Sequence, residues 1–190
     1  LVVCHLGGGS SVTAVLDGQS VDTTMGFSPL EGVPMTTRSG SIDPGALLYL
    51  LLERGLDPDR LEHELNFESG LKALGTGSGD MREVEAAGGL ALDVFAYRVA
   101  AAVAAMTVAL GGLDAVVFTA GVGEHSSRVR ELVCGRLAHL GVDLDAAANE
   151  RAEPDCAISR GGVQVHVVRA REELVAARAA RAVVGDSRAG

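Results

Sequence analysis

Several short stretches carry residue types that could do chemistry. "HLGGGSS" (residues 5–11) sets three glycines between an apolar run and two serines, with His5 at its head. Bare glycine backbone lets a ligand come close, and successive exposed N–H groups form a nest for an anion such as phosphate. "AGVGEHSS" (120–127) repeats the theme with Gly121 and Gly123, and "GTGSGDMRE" (75–83) places Asp80 and Arg82 behind a flexible run. Arg38 stands in "TTRSG", a guanidinium among small residues that can grip an anion by a two-pronged contact. Each stretch also has a plainer reading. The first fits a simple hairpin, the second a strand–glycine–helix junction common to α/β proteins, and Asp80 with Arg82 a solvated pair. Arg38 fits equally a surface cation paired with Glu31 or Asp43. Glu172 and Glu173 open the last helical stretch, where the helix dipole favours acids in any case.

Elements must position these residues. Residues 1–6 read as a buried strand. Val12, Ala14 and Leu16 alternate with Thr13, Val15 and Asp17, an Asp17-Gly18 turn follows, and "QSVDTTM" returns as a third strand. The glycines of the first stretch therefore feed a strand, whereas dinucleotide fingerprints and Walker loops feed a helix. Residues 26–43 form a long irregular loop ending at Asp43-Pro44, an N-cap and first-turn pair opening an apolar helix up to Gly55. Further helices are expected at 58–65, 90–110, 127–140 and 172–184, with strands at 114–119 and 163–168. The second glycine stretch is expected to be a bend. The pattern is mixed α/β, and its opening meander is not how a doubly wound nucleotide fold begins.

Bulk composition narrows the function classes. The 190 residues suit one domain or a large part of a two-domain protein, and 47% apolar with 22% charged residues can build a core. A net charge of −9 opposes nucleic acid or anionic membrane as the main partner. Cys4, Cys134 and Cys156 share no metal or redox spacing and read as reduced thiols of a cytoplasmic protein. The most apolar stretch, 99–110, is short of the roughly 20 residues of a membrane span, and no signal peptide is visible. The start at Leu1, directly in a strand, suggests the later part of a longer chain.

Taken in order, "CHLGGGSSV", "SVDTTMGFSPLEGVPMTTRSGSIDPG", "ESGL", "SGDMRE", "VFAYRV", "GGLDAVVFTAGVGEHS" and "REELVAAR" resemble the acetate kinase family, which includes acetate and propionate kinases. The resemblance runs over nearly the whole chain. It implies an actin/Hsp70/sugar-kinase-like (ribonuclease H-like) domain, a mixed sheet with flanking helices, forming the C-terminal, nucleotide-binding half of a two-domain enzyme. By that likeness residues 1–171 are the nucleotide-binding domain, and 172–190 are a closing helix and tail that pack on a missing N-terminal domain. Such a helix leaves Leu174 and Val175 exposed in this chain alone.

The resemblance also assigns residues. His5, Leu6, Gly7, Gly8 and Gly9 would form a phosphate-side ATP loop. Asp80, Met81 and Arg82, with Ala120, Gly121, Val122, Gly123 and Glu124, would hold the nucleoside end. Arg38 would steady the phosphoryl group in flight and Glu172 would bind Mg²⁺. The implied reaction moves the γ-phosphate of ATP to a short carboxylate, giving an acyl phosphate and ADP, reversibly, in a cytoplasmic homodimer. Four positions depart from the family: Gly8 for an asparagine, Ala120 for a glycine, His125 for an asparagine and Arg171 for the asparagine before the metal ligand. A cation beside a Mg²⁺ site weakens metal binding unless its side chain is directed elsewhere. The alternative reading is a non-catalytic nucleotide-binding module.

Overall fold

The computed structural model describes residues 1–75 and 77–186. Thr76 in the 75–83 stretch and residues 187–190 of the closing tail lie outside the described residues. The expected meander is present as β1 (Val2–Leu6), β2 (Ser10–Leu16) and β3 (Gln19–Thr23). β1 and β2 pair antiparallel with Val2 opposite Ala14 and Leu6 opposite Ser10. Asp17 and Gly18 both take positive φ (50° and 78°), as a tight hairpin turn between twisted strands demands.

β4 (Ala115–Thr119) adds to the other side of β1, in parallel, and β6 (Gln164–Val167) adds parallel to β4. A two-residue β5 (Cys156–Ala157), not expected from the sequence, finishes a six-stranded sheet of order β3-β2-β1-β4-β6-β5. Strand alternation sends Val2, Cys4, Leu6, Val12, Ala14, Val116, Phe118, Val165 and Val167 to one fully sealed face. The core therefore lies on that face.

Its cover is α5 (Leu90–Leu110), which packs on β1, β2 and β3 and against α7 (Ser127–Arg136). Leu92, Phe95, Ala96, Val99, Val103 and Met106 recur at helical spacing and are buried. The sequence expectation of a stretch too short to span a membrane needs correction: the 21-residue helix is long and apolar enough by length and composition. Its buried stripe shows that it serves here as a core helix.

The remaining helices are α1 (Pro44–Leu48), running into a π-helical turn at Tyr49–Glu53, α2 (Pro58–Phe67), α3 (Gly70–Leu74), α4 (Met81–Ala87), α6 (Ala120–His125), α8 (Ala146–Glu150) and α9 (Glu172–Asp186). The second glycine stretch is not the expected bend but the short helix α6, and behind the flexible run Met81–Glu83 form the first turn of α4. The helix expected to reach residue 140 ends at Arg136 and is followed by a 3-10 turn at Ala138–Leu140. α9 stands away from the sheet, with residues 172–183 exposed, including Leu174 and Val175.

Candidate functional site

The parallel pairing of β1 with β4 decides where the glycine stretches meet. Cys4 lies opposite Phe118 and His5 opposite Thr119, so both strands end at one edge and release their following segments side by side. A methyl group built on Gly7 would sit 3.5 Å from Cβ of Ala120. The C-terminal edge of parallel strands is where open α/β sheets bind ligands. Here that edge borders a cleft of about 820 Å³, within the usual size range for a small-molecule site.

The cleft has an apolar floor of Leu71, Met81, Phe95 and Val122, and a polar rim. Gly7 and Gly8 from the first glycine stretch, Gly121, His125 and Ser126 from the second, and Gly79, Asp80, Arg82 and Glu85 in and just before α4 complete its lining. Gly7 N–H is spent inside the first turn, donating to Gly9 O at 3.0 Å, while Gly8 is exposed with open space around it. His125 Nδ1 lies 2.9 Å from Gly121 O, which requires the proton on that nitrogen.

Asp80 is the N-cap of α4. Its Oδ1 accepts from Arg82 N at 2.9 Å and Arg82 Nε at 3.0 Å, and its Oδ2 from Arg82 Nη2 at 2.6 Å. That fork, with the backbone N–H second, holds the Asp80 carboxyl down at about 2. Arg82 lies on the rim with 90% of its side chain exposed.

Not every residue assigned to the nucleotide faces the cleft. Leu6 is fully buried in the core, so only its backbone is available. Gly123 is a packing glycine: a methyl there would stand 3.3 Å from the Phe118 carbonyl carbon, and its absence lets α6 settle on the sheet. Ala120 turns the chain into α6 at φ 66°, a region that costs a residue with a Cβ about 1 kcal/mol. Glu124 is buried, and its Oε1 accepts from Ala120 N at 3.0 Å and Ala170 N at 2.8 Å. It is a fastening, not a rim group.

Arg38 arrives from outside the sheet. Residues 35–38 of the long loop are stitched to α2 and α3: Leu71 N donates to Met35 O, Lys72 N to Thr36 O, Ser69 N to Thr37 O, and Thr37 Oγ1 to Asn66 O. The loop passes so close to Gly70 (φ 62°) that a methyl there would stand 2.2 Å from Met35 O and 2.6 Å from Arg38 O. Held this way, Arg38 lies beside the first turn, with Nη1 3.5 Å from where a Gly9 side chain would begin. Neither carboxylate considered from the sequence pairs with it. Asp43 caps Gly45 N at 2.8 Å and Glu31 lies against Gly26, while Arg38 Nη1 touches Pro29 O (3.4 Å) and Met35 Sδ (3.7 Å). Among the described residues Arg38 has no ion-pair partner.

Glu172 comes to the same edge by the path that leaves β6. Its Oε1 is 3.4 Å from His5 Nε2, and its side chain is 77% exposed. Arg171 turns to Asp155, donating through Nη1 to Oδ1 at 3.2 Å and through Nη2 to Oδ2.

Sequence reading missed Thr36, Glu85 and Ser126, which line the cleft, and Arg130, which braces it. Glu85 follows Met81 by four residues and so shares its helix face; its carboxylate accepts from Ser126 Oγ. Arg130 is buried, donating to Gly123 O and Glu124 O at 2.9 Å each and to Asn149 through Oδ1 (2.7 Å) and O (2.9 Å). It thereby satisfies the open carbonyls at the end of α6.

Comparison with known proteins adds to this geometry. Residues 1–178 match the sequence profile of the Acetokinase family. An acetate kinase of Protochlamydia amoebophila is 48% identical over 184 residues, covering 94% of this chain and 46% of that protein. Among solved structures, an acetate kinase of Porphyromonas gingivalis superposes with a TM-score of 0.89 at 34% identity, covering 96% of this chain and 48% of that one. A propionate kinase of Francisella tularensis gives 0.84 at 39% identity, covering 91% and 46%. The chain thus spans about half the length of the relatives it matches.

Proposed function

Since this chain belongs to the acetokinase family, with the actin/Hsp70/sugar-kinase type of fold, we propose that it is the nucleotide-binding half of a phosphotransferase moving the γ-phosphate of ATP to a short-chain carboxylate. The products are an acyl phosphate and ADP, and the reaction runs in both directions. The observation that carries this reading is Arg38: a guanidinium with no ion-pair partner among the described residues, beside the first glycine turn, whose Gly7 and Gly8 line a nucleotide-sized cleft.

In this reading the base lies on Phe95, Leu71 and Met81, with Asp80 and Arg82 at the ribose side and Gly121 and Val122 opposite. The phosphates run along Gly7, Gly8 and Gly9, where no side chain holds them off. The acceptor carboxylate is already an anion and needs no general base. One of its oxygens attacks γ-phosphorus, the bond to the β–γ bridging oxygen breaks, and that electron pair leaves on ADP. The obstacle is repulsion between two anions. Arg38 offsets it, donating to the equatorial oxygens as their charge shifts in the transition state.

The residues present also fit Mg²⁺. The described residues hold no group of three metal-ligating side chains. One exposed carboxylate, Glu172, is what a Mg²⁺ carried by phosphates and water requires. The ion, when bound, supplies charge neutralisation across the phosphate oxygens.

Residues 1–171 then form the nucleotide-binding domain of the C-terminal half, and α9 reaches toward the remainder of the enzyme, a role suited by exposed Leu174 and Val175. Pairing of two copies and a cytoplasmic setting, suited by three free cysteines, belong to the same reading. The test joins this chain to the missing half and supplies ATP, acetate or propionate, and hydroxylamine. Acyl hydroxamate should form with the joined protein and be negligible with the 190 residues alone. A joined protein that binds ATP yet forms no hydroxamate would favour the non-catalytic module, a reading suited by the bare backbone at Gly8.

A further inference from the structure

We infer that Asp155 is a positioning residue for Glu172: by engaging the Arg171 guanidinium it keeps that cation off the neighbouring carboxylate. The inference rests on the reading of Glu172 as a Mg²⁺ ligand. Arg171 immediately precedes Glu172, so a guanidinium released from Asp155 starts one residue away from that carboxylate, and its planar fork matches two carboxylate oxygens. Such a pairing would occupy the oxygens a divalent cation needs and add a like charge beside it.

The structure shows the fork spent elsewhere. Both Arg171 prongs go to the two oxygens of Asp155, and Arg171 Nη1 also reaches Arg169 O at 3.4 Å. Asp155 Oδ1 accepts in addition from Arg169 N at 3.0 Å, so one carboxylate closes over residues 169–171. Glu172 is left to face His5. The Arg171 fork, then the Arg169 N–H, hold the Asp155 carboxyl below the ordinary carboxylate range, so Asp155 stays ionised at neutral pH. Asp155 and Arg171 are both nearly half exposed, and such a pair contributes little to folding. Its consequence is local: it decides which carboxylate the cation occupies.

Mn²⁺ serves as the probe, with ADP present and free Mn²⁺ counted by electron paramagnetic resonance. Glu172→Gln should abolish tight binding. Asp155→Asn should weaken it about tenfold, the freed guanidinium now competing for Glu172. Adding Arg171→Gln to Asp155→Asn should restore binding to within about twofold of the parent, because the competing charge is gone. Arg171→Gln alone should bind at least as tightly as the parent. Unchanged affinity in Asp155→Asn overturns the inference. So does a loss that persists in the double variant or appears in Arg171→Gln alone, which would mark the pair as mere scaffold. If the parent binds no Mn²⁺, or Glu172→Gln binds it as the parent does, the metal reading of Glu172 fails, and the inference with it.

Discussion

The guanidinium of Arg38 lies against Gly9: a methyl group placed on that glycine would stand 3.5 Å from Nη1. Two segments with no sequence relation thus meet where the terminal phosphate is proposed to lie. Arg38→Ala, in the protein completed with its missing half, should lower kcat by about 10³-fold or more while leaving ATP affinity within about threefold. Steady-state kinetics and nucleotide titration separate the two. Equal losses in both would make Arg38 a ground-state ligand only.

Gly70 is the seat of that placement. Gly70→Ala puts a methyl into Met35 O and Arg38 O at a residue with φ 62°. Left-handed strain and overpacking together should cost roughly 3 kcal/mol in urea unfolding. Of the activity that survives in the completed protein, kcat should suffer more than ATP affinity, as for Arg38 itself. A variant as stable as the parent would show that the loop can leave Gly70 freely.

Ala120 holds φ 66°, a region in which its Cβ is strained, and its methyl is buried. Ala120→Gly should raise stability by up to about 1 kcal/mol, the left-handed penalty removed less a small entropy cost in the unfolded chain. A urea midpoint that falls would show that burial of the methyl outweighs the strain.

Asp80 supplies a pH test. Its folded-state value of about 2 lies below the ordinary 3.8, chiefly through the Arg82 fork. A depressed acid adds stability above its unfolded value, and that contribution is lost as pH falls through the folded one. The capped start of α4 should therefore hold through pH 4 and loosen toward pH 2. Carboxyl NMR of Asp80 should titrate near 2, and Arg82→Gln should move it back toward the ordinary value. No movement in that variant would exclude the fork as the cause.

The sequence made some of this legible and hid the rest, for physical reasons. Strand alternation and the Asp17-Gly18 turn depend on local period, and residues 90–110 on a long apolar run carrying only Asp93 and Arg98 as charges, so the meander and the central helix could be read directly. The two-residue β5 has no period to read. The expectation of a bend at 120–124 failed because glycines signal close backbone approach in a helix as well as in a turn, and Gly123 is there for Phe118. The carboxylate of Glu124 faces inward to two backbone N–H groups, a direction that sequence does not carry. Arg130 had a signal: it stands between Val129 and Val133 on the buried side of α7. A charged residue on an apolar stripe marks a buried network, and here the carbonyls at the end of α6 were its reason.

One oxygen of Glu124 receives both Ala120 N–H and Ala170 N–H. The start of the short helix and the chain leading to Glu172 are therefore pinned to a single atom. Glu124 is thus a common anchor for the cavity wall and for the strand exit that carries Glu172, and a change at position 124 unfastens both at once.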